Sequence, residues 1–203
     1  MLLKALGGSD LIWQKAFPVQ EPLLTQFLPH YNVRMAVKVL STFSRLVKTH
    51  LDRLIGLSLI LYIPLHVLEE GAFGFPAWAE SYWRIPNYTF EKWVIHNLFF
   101  AGALLIGYII YRINKERLLA FGVAIVCWGI MNTANHIVCS LAFLRYEPGI
   151  LTSLLWIPLF KWTVGYLRVN QRLTWKLMLA SFLLAAVLYW TVPITTFIYI
   201  GLG

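Results

Sequence analysis

Charge is what this chain has least of. Only 13% of its 203 residues are Asp, Glu, Lys or Arg, while 59% are hydrophobic and mean hydropathy is +0.67. That scarcity excludes an ordinary soluble domain, in which about a quarter of residues are charged. Acids are scarcer still, nine against 17 Lys and Arg, for a formal charge of +8. The basic excess does not point to nucleic acid, because most of it lies beside apolar segments, where it meets anionic lipid headgroups. Cysteine is nearly missing as well. Cys127 and Cys139 share one apolar segment without CxxC spacing, so they read as packing residues and not as a disulfide or a metal motif. The first fifty residues lack the apolar core and the small-residue cleavage site of a signal peptide, with Asp10, Lys15, Pro18, Glu21 and Pro22 interrupting them. No internal repeat or second globular domain is apparent.

What is present is a series of long apolar runs. Five segments are each close to the roughly 20 residues that a hydrocarbon core requires: Leu51–Glu69, Lys92–Tyr111, Leu118–Leu141, Gly149–Leu167 and Trp175–Ile198. The expected architecture is an all-α polytopic membrane helix bundle over residues 51–203, preceded by a cytoplasmic or interfacial segment, residues 1–50. Within that segment Val33, Val37, Leu40, Phe43 and Val47 recur at helical spacing among Arg34, Lys38, Arg45 and Lys48. The pattern suits an amphipathic helix on a membrane surface or a solvated helix capping the bundle. Fourteen Lys and Arg fall on one side of the five spans and only Arg84, Lys92 and Arg145 on the other. The positive-inside rule then places the N-terminus in the cytoplasm and the C-terminus outside, as for a bacterial inner-membrane protein.

The few polar residues inside the spans converge on one level. His66, Glu69 and Glu70 close the first span at its outer end, and because positions i, i+3 and i+4 share one face of a helix, the three are expected to point the same way. His96 enters the second span at a similar depth, and Asn132, Asn135 and His136 reach the outer half of the third. Thr152 opens the fourth span beyond the Pro148-Gly149 turn and can donate toward the same layer. Each has an ordinary explanation taken alone: a packed core histidine, an interhelical hydrogen bond, an interfacial acid. Their convergence is harder to explain so, because ionisable groups at membrane depth are costly unless they pair, bind a metal or line a wet cavity.

Imidazole and carboxylate together suit zinc, iron or manganese, with an open position for water. The ligands expected are His66, His96 and His136, completed by Glu69 or Glu70. Consecutive helix residues diverge by about 100°, so one glutamate can ligate while the other acts as general base. The arrangement is only loosely like the HExxH helix of zincins. It also departs from the EExxxR pattern of CAAX-type proteases, since Gly74 stands where the Arg belongs. Between the first two spans, Phe73, Phe75, Trp78, Tyr82, Trp83, Tyr88 and Phe90 form an interfacial aromatic girdle or, alternatively, a lid over the site. Pro64, Pro158 and Pro193 are expected to kink their helices.

His66-Val67-Leu68-Glu69-Glu70, together with the histidines of the second and third spans, the Pro148-Gly149 turn and Thr152, resembles the HXXEE-motif family of small integral membrane proteins. The resemblance covers roughly residues 54 to 165 and leaves the N-terminal fifty outside. It implies that His66, Glu69 and Glu70 matter, and it implies no reaction. Two function classes follow. One is a metal-dependent hydrolase or oxidoreductase acting on membrane lipid or an apolar, lipid-borne substrate. The other is a non-catalytic protein, either an accessory subunit with a protein partner or a small proton-linked transporter. Transport is the less favoured, because the inner halves of the spans are almost wholly apolar.

Overall fold

The computed structural model describes residues 50–199, which lie in the second of two units of the chain, residues 46–203. The amphipathic segment expected from Val33 lies outside the described residues. Six helices follow in order: α1 (Leu51–Ala72), α2 (Phe75–Tyr82), α3 (Phe90–Ile113), α4 (Leu119–Phe143), α5 (Ile150–Val169) and α6 (Trp175–Tyr199). Of these, α1, α3, α4 and α5 are long and apolar enough to cross a membrane, and α6 is a fifth apolar helix. The chain is an all-α, multi-pass membrane bundle. Each boundary lies within three residues of the hydropathy reading, because a bilayer fixes the length of its spans more strictly than a soluble core does.

Two of the prolines expected to kink their helices lie at distortions of another kind. A proline has no N–H to donate and its ring crowds the carbonyl four residues earlier. Upstream of Pro64, α1 widens after Ile60 into a π-helical stretch, Leu61–His66, before returning to α-helix. Upstream of Pro158, α5 breaks into Ile150–Ser153 and Trp156–Val169, with the interruption at Leu154 and Leu155. Both distortions fall beside the polar layer.

Helix α4 is the centre of the bundle and packs against α1, α3, α5 and α6. Its buried face carries Val123, Val126, Cys127 and Trp128, which meet Leu54 and Ile55 of α1, Leu104 of α3 and Trp156 of α5. Small residues allow this approach, as is usual between membrane helices, where close van der Waals packing replaces the hydrophobic effect as the driving force. At Gly129 an added Cβ would stand 2.0 Å from the Trp156 indole. The outward surface is apolar in turn: Ile60, Leu68, Leu98, Ile106, Ile109, Leu141, Leu183 and Val187 are all exposed, as lipid-facing side chains are.

The two ends of the bundle differ. At the end where α1 and α3 meet the α3–α4 turn, Asp52 accepts hydrogen bonds from Tyr111 and Lys115, and Arg172 pairs with Glu116. At the other end, α2, the loop after it and the first turn of α3 build an aromatic layer from Phe75, Trp78, Tyr88 and Trp93. Trp78 and Tyr82 extend this layer to Phe143 at the end of α4. That layer roofs the polar residues.

Candidate metal centre

The π-helical stretch ends on His66, and the helix beyond it presents Glu70 one turn later on the same face. Across from them α4 presents His136. His66 and His136 are 1% and 2% exposed and Glu70 is 7% exposed, so all three are taken out of solvent. Their tips meet: His66 Nε2 is 3.3 Å from His136 Nε2 and 3.4 Å from Glu70 Oε1, and His136 Nε2 is 3.8 Å from the same oxygen. Among the described residues this is the group of ionisable side chains arranged to hold a metal ion.

The spacing carries chemical information. A triangle with these edges has its centre about 2.0 Å from each corner, the length of a zinc bond to imidazole nitrogen or carboxylate oxygen. The three donor atoms are therefore close enough to close around one ion.

Each of the three residues is held from behind. Thr152 Oγ1 lies 2.9 Å from His66 Nδ1. The threonine's single proton goes to Glu69 Oε2 at 2.5 Å or to the Gly149 carbonyl at 3.2 Å, so toward the imidazole it accepts. His66 therefore carries its proton on Nδ1 and turns the Nε2 lone pair to the centre. Behind His136, Glu147 Oε1 lies 3.4 Å from Nδ1, a carboxylate–histidine pairing of the kind that orients metal ligands. Behind Glu70, the Trp93 indole donates to Oε2 at 3.0 Å and leaves Oε1 facing the histidines. Asn132 brings its amide nitrogen to 3.1 Å from His66 Nε2.

Glu69 has a different place. Tyr146 and the Leu151 N–H donate to Oε1, at 2.6 and 3.0 Å, and the N–H and hydroxyl of Thr152 donate to Oε2. Those two backbone amides belong to the first turn of α5, where no intrahelical acceptor exists. Glu69 thus caps α5 from another helix, and its lone pairs are spent on doing so. Burial and the adjoining Glu69 carboxylate raise the Tyr146 phenol above its usual range, which keeps it a donor.

Glu147 was invisible to pattern reading, since it lies in the loop between α4 and α5. The available signal was its isolation, for it is the only acid after Glu116. It is fully buried, and neither carboxylate oxygen has a hydrogen-bond partner other than the approach to His136. Burial lifts its carboxyl above the ordinary carboxylate range, while His136 acts in the opposite direction. The next residues close a type II turn, with Ile150 N–H bonded to the Glu147 carbonyl at 3.2 Å, Pro148 at its second position and Gly149 at φ +99° in the third. A Cβ on Gly149 would stand 2.7 Å from His66 Cε1, 2.8 Å from His136 Cε1 and 3.0 Å from Glu70 Cγ. The turn therefore presses bare backbone against all three ligands.

A cavity of about 280 Å³ adjoins the centre, lined by His66, Glu70 and His136 on one side and by Tyr62, His96, Asn97, Phe100, Asn135 and Tyr189 elsewhere. His96 thus shares the chamber and not the ligand group: its Nδ1 lies 2.9 Å from the Tyr88 hydroxyl, and its ring stacks on Phe100. Burial, with the Glu70 carboxylate as a smaller contribution, raises the Tyr88 phenol well above its usual range. Asn135 lines the cavity and accepts from the Cys139 thiol, and Tyr62 donates to Asn97 at 2.7 Å. Of the residues expected from sequence, His66, Glu70 and His136 meet at one point with Asn132 beside them, Thr152 stands behind His66, His96 and Asn135 line the cavity, and Glu69 faces the start of α5.

No curated protein and no solved structure matches the sequence. Residues 57–163 match the family described as proteins of unknown function with an HXXEE motif. That match spans more than half of the chain and brackets the whole arrangement, from His66 to Thr152. The chain belongs to the HXXEE-motif family.

Proposed function

We propose that this chain is a membrane metalloprotein in which His66, Glu70 and His136 hold one divalent ion, and that the ion serves hydrolysis of an apolar or lipid-borne substrate in the adjoining cavity. The observation that carries the reading is the convergence of two Nε2 atoms and one carboxylate oxygen at 3.3–3.8 Å, each held from behind by a further residue. Two imidazoles and one carboxylate suit zinc, iron or manganese, and of these the redox-inert zinc is the one that would direct the site to hydrolysis. Held by these three residues, the ion would supply an acidified water and a Lewis acid beside the cavity.

The chain's own residues divide the remaining work. Thr152 and Glu147 fix the two imidazoles, and Trp93 directs Glu70. Asn132 lines the cavity with its amide nitrogen 3.1 Å from His66 Nε2, a polar group at the boundary between the centre and the chamber. With Glu69 engaged by four donors, we assign it to holding α5 and Thr152 in place and not to proton abstraction. The 14-to-3 distribution of basic residues supports a site near the outer membrane face, with the N-terminus in the cytoplasm.

A second reading has one observation in its favour. Without a metal, a protonated Glu147, His136, His66, Thr152 and Glu69 could form one line of hydrogen bonds, as a proton-linked carrier would use. The line ends at α5, and the core beyond it, among the described residues, is mostly apolar, with Leu54, Leu59, Val123 and Leu159 in it, which disfavours a route across the membrane.

Metal analysis of the purified protein beside His66→Ala and His136→Ala variants that retain helicity decides between them. About one equivalent of zinc in the wild type, lost in both variants, supports the metal centre. Absence of metal from a protein purified without chelators and offered zinc refutes it.

A further inference from the structure

The cavity beside the centre has a composition that selects its guest. More than half of its lining side chains are aromatic, among them Phe100, Trp128 and Tyr189, and the polar groups between them include the uncharged carboxamides of Asn97, Asn132 and Asn135. Among the described residues no Lys or Arg lines it. Proteins hold phosphate and carboxylate groups with guanidinium or ammonium side chains, or with the free N–H groups of a helix start. The helix start beside this centre, that of α5, is already taken: the Leu151 and Thr152 amides donate to the Glu69 carboxylate. The ionisable side chains in the wall, apart from the tyrosine phenols, are Glu70, His66, His96 and His136, none of them a guanidinium or ammonium group. The faces of aromatic rings, being the negative part of their quadrupole, repel an anion.

Size and position narrow the guest further. A cavity of about 280 Å³ is roughly twice the 150 Å³ that suffices for benzene. It therefore takes a small molecule or one end of a longer one. Trp83, in the loop after α2, and Trp190, on α6, line it while being 36% and 64% exposed, so they form its rim. Tryptophan at such a place suits the boundary between lipid and water, where one end of the ring is wet and the other apolar.

We infer that the cavity receives an uncharged group, either a small neutral molecule or the neutral end of an amphiphile entering at the membrane boundary, and that it discriminates against anionic headgroups. The inference rests on the proposed function for the direction in which the guest points, toward the metal, but its charge preference follows from the lining alone.

The test uses the full chain purified in detergent, with metal content measured on the sample and any metal then removed by chelator, because a bound divalent ion would itself attract an anion. Phenylacetamide, phenylacetate and phenylphosphonate share one ring and differ in charge, and their binding is followed by saturation-transfer NMR and cavity tryptophan fluorescence. Phenylacetamide is expected to bind saturably and at least tenfold more tightly than either anion. An Asn135→Phe variant, which fills the cavity from α4, should abolish that binding. Anion binding equal to or tighter than that of the amide overturns the inference. So does amide binding that Asn135→Phe leaves unchanged, or no saturable binding of any of the three. A neutral preference in a protein without metal would sustain the inference while defeating the metal centre, and the reverse pairing would do the opposite.

Discussion

Replacing Gly149 by alanine should remove the metal while leaving the bundle folded. The substitution acts in two ways that can be separated. First, φ at Gly149 is +99°, a conformation that costs an L-residue about 1–2 kcal/mol. Second, the new methyl would lie 2.7 Å from His66 Cε1 and 2.8 Å from His136 Cε1, against roughly 3.5–4.0 Å for carbons in contact. Either the two rings retreat by about 1 Å or the turn opens, whereas a metal site tolerates only about 0.2 Å in its bond lengths. A loss of at least about 100-fold in zinc affinity follows, or about 2.7 kcal/mol. Gly74 supplies the control. Its φ is +74° and nothing lies within 4 Å of its added Cβ, so Gly74→Ala carries the backbone strain without the intrusion. Thermal unfolding in chelator should show both variants destabilised by about 1–2 kcal/mol, and competition against a chromophoric chelator should show zinc affinity lost in Gly149→Ala alone. Wild-type affinity in a folded Gly149→Ala protein would refute the placement of the ion between the two imidazoles.

Other substitutions probe the supporting residues. Glu147→Gln should retain the fold and lower zinc affinity about 10–100-fold, as losses behind a ligating histidine do; chelator competition measures it. Tyr146→Phe removes one of four donors to Glu69 and should lower thermal stability by about 1 kcal/mol, with metal content unchanged by elemental analysis. Gly129→Ala drives a methyl into the Trp156 indole and should cost about 1–3 kcal/mol or prevent folding, read by yield and helicity of the purified protein. Asp52→Asn, at the far end of the bundle, should leave metal content at the wild-type value; its loss would mean that the two ends are coupled.

The fold was legible because hydropathy reports span length directly, and a membrane leaves few alternatives to helices of that length. The site was legible in part. His66 and His136 stood out as imidazoles in apolar runs, and Thr152 could be placed because the Pro148-Gly149 turn put it at the right level. His96 stood at the right depth and still joined the cavity wall and not the ligand group, since depth along the membrane normal says nothing of rotation about the helix axis. Glu147 could not be found by periodicity, because it belongs to a loop whose path is set by a turn. The π-helical stretch was equally hidden: Pro64 announces a distortion but not whether the chain will kink or widen.

The adjacency of Glu69 and Glu70 now has a physical reason. Neighbouring helix positions point about 100° apart, so a pair of glutamates serves two directions from one turn of α1. Glu70, one turn beyond His66, shares its face and completes the group proposed to hold the metal. Glu69 turns toward α5 and holds the first turn of that helix through Leu151 and Thr152. Thr152 then returns to His66 and fixes which of its nitrogens faces the centre. The motif is in this sense a closed circuit: His66 and Glu70 supply donor atoms, and Glu69, by capping a different helix, sets the tautomer of the histidine three residues before it. Losing the Glu69 charge would therefore reach the centre through Thr152, even though Glu69 itself faces away from it.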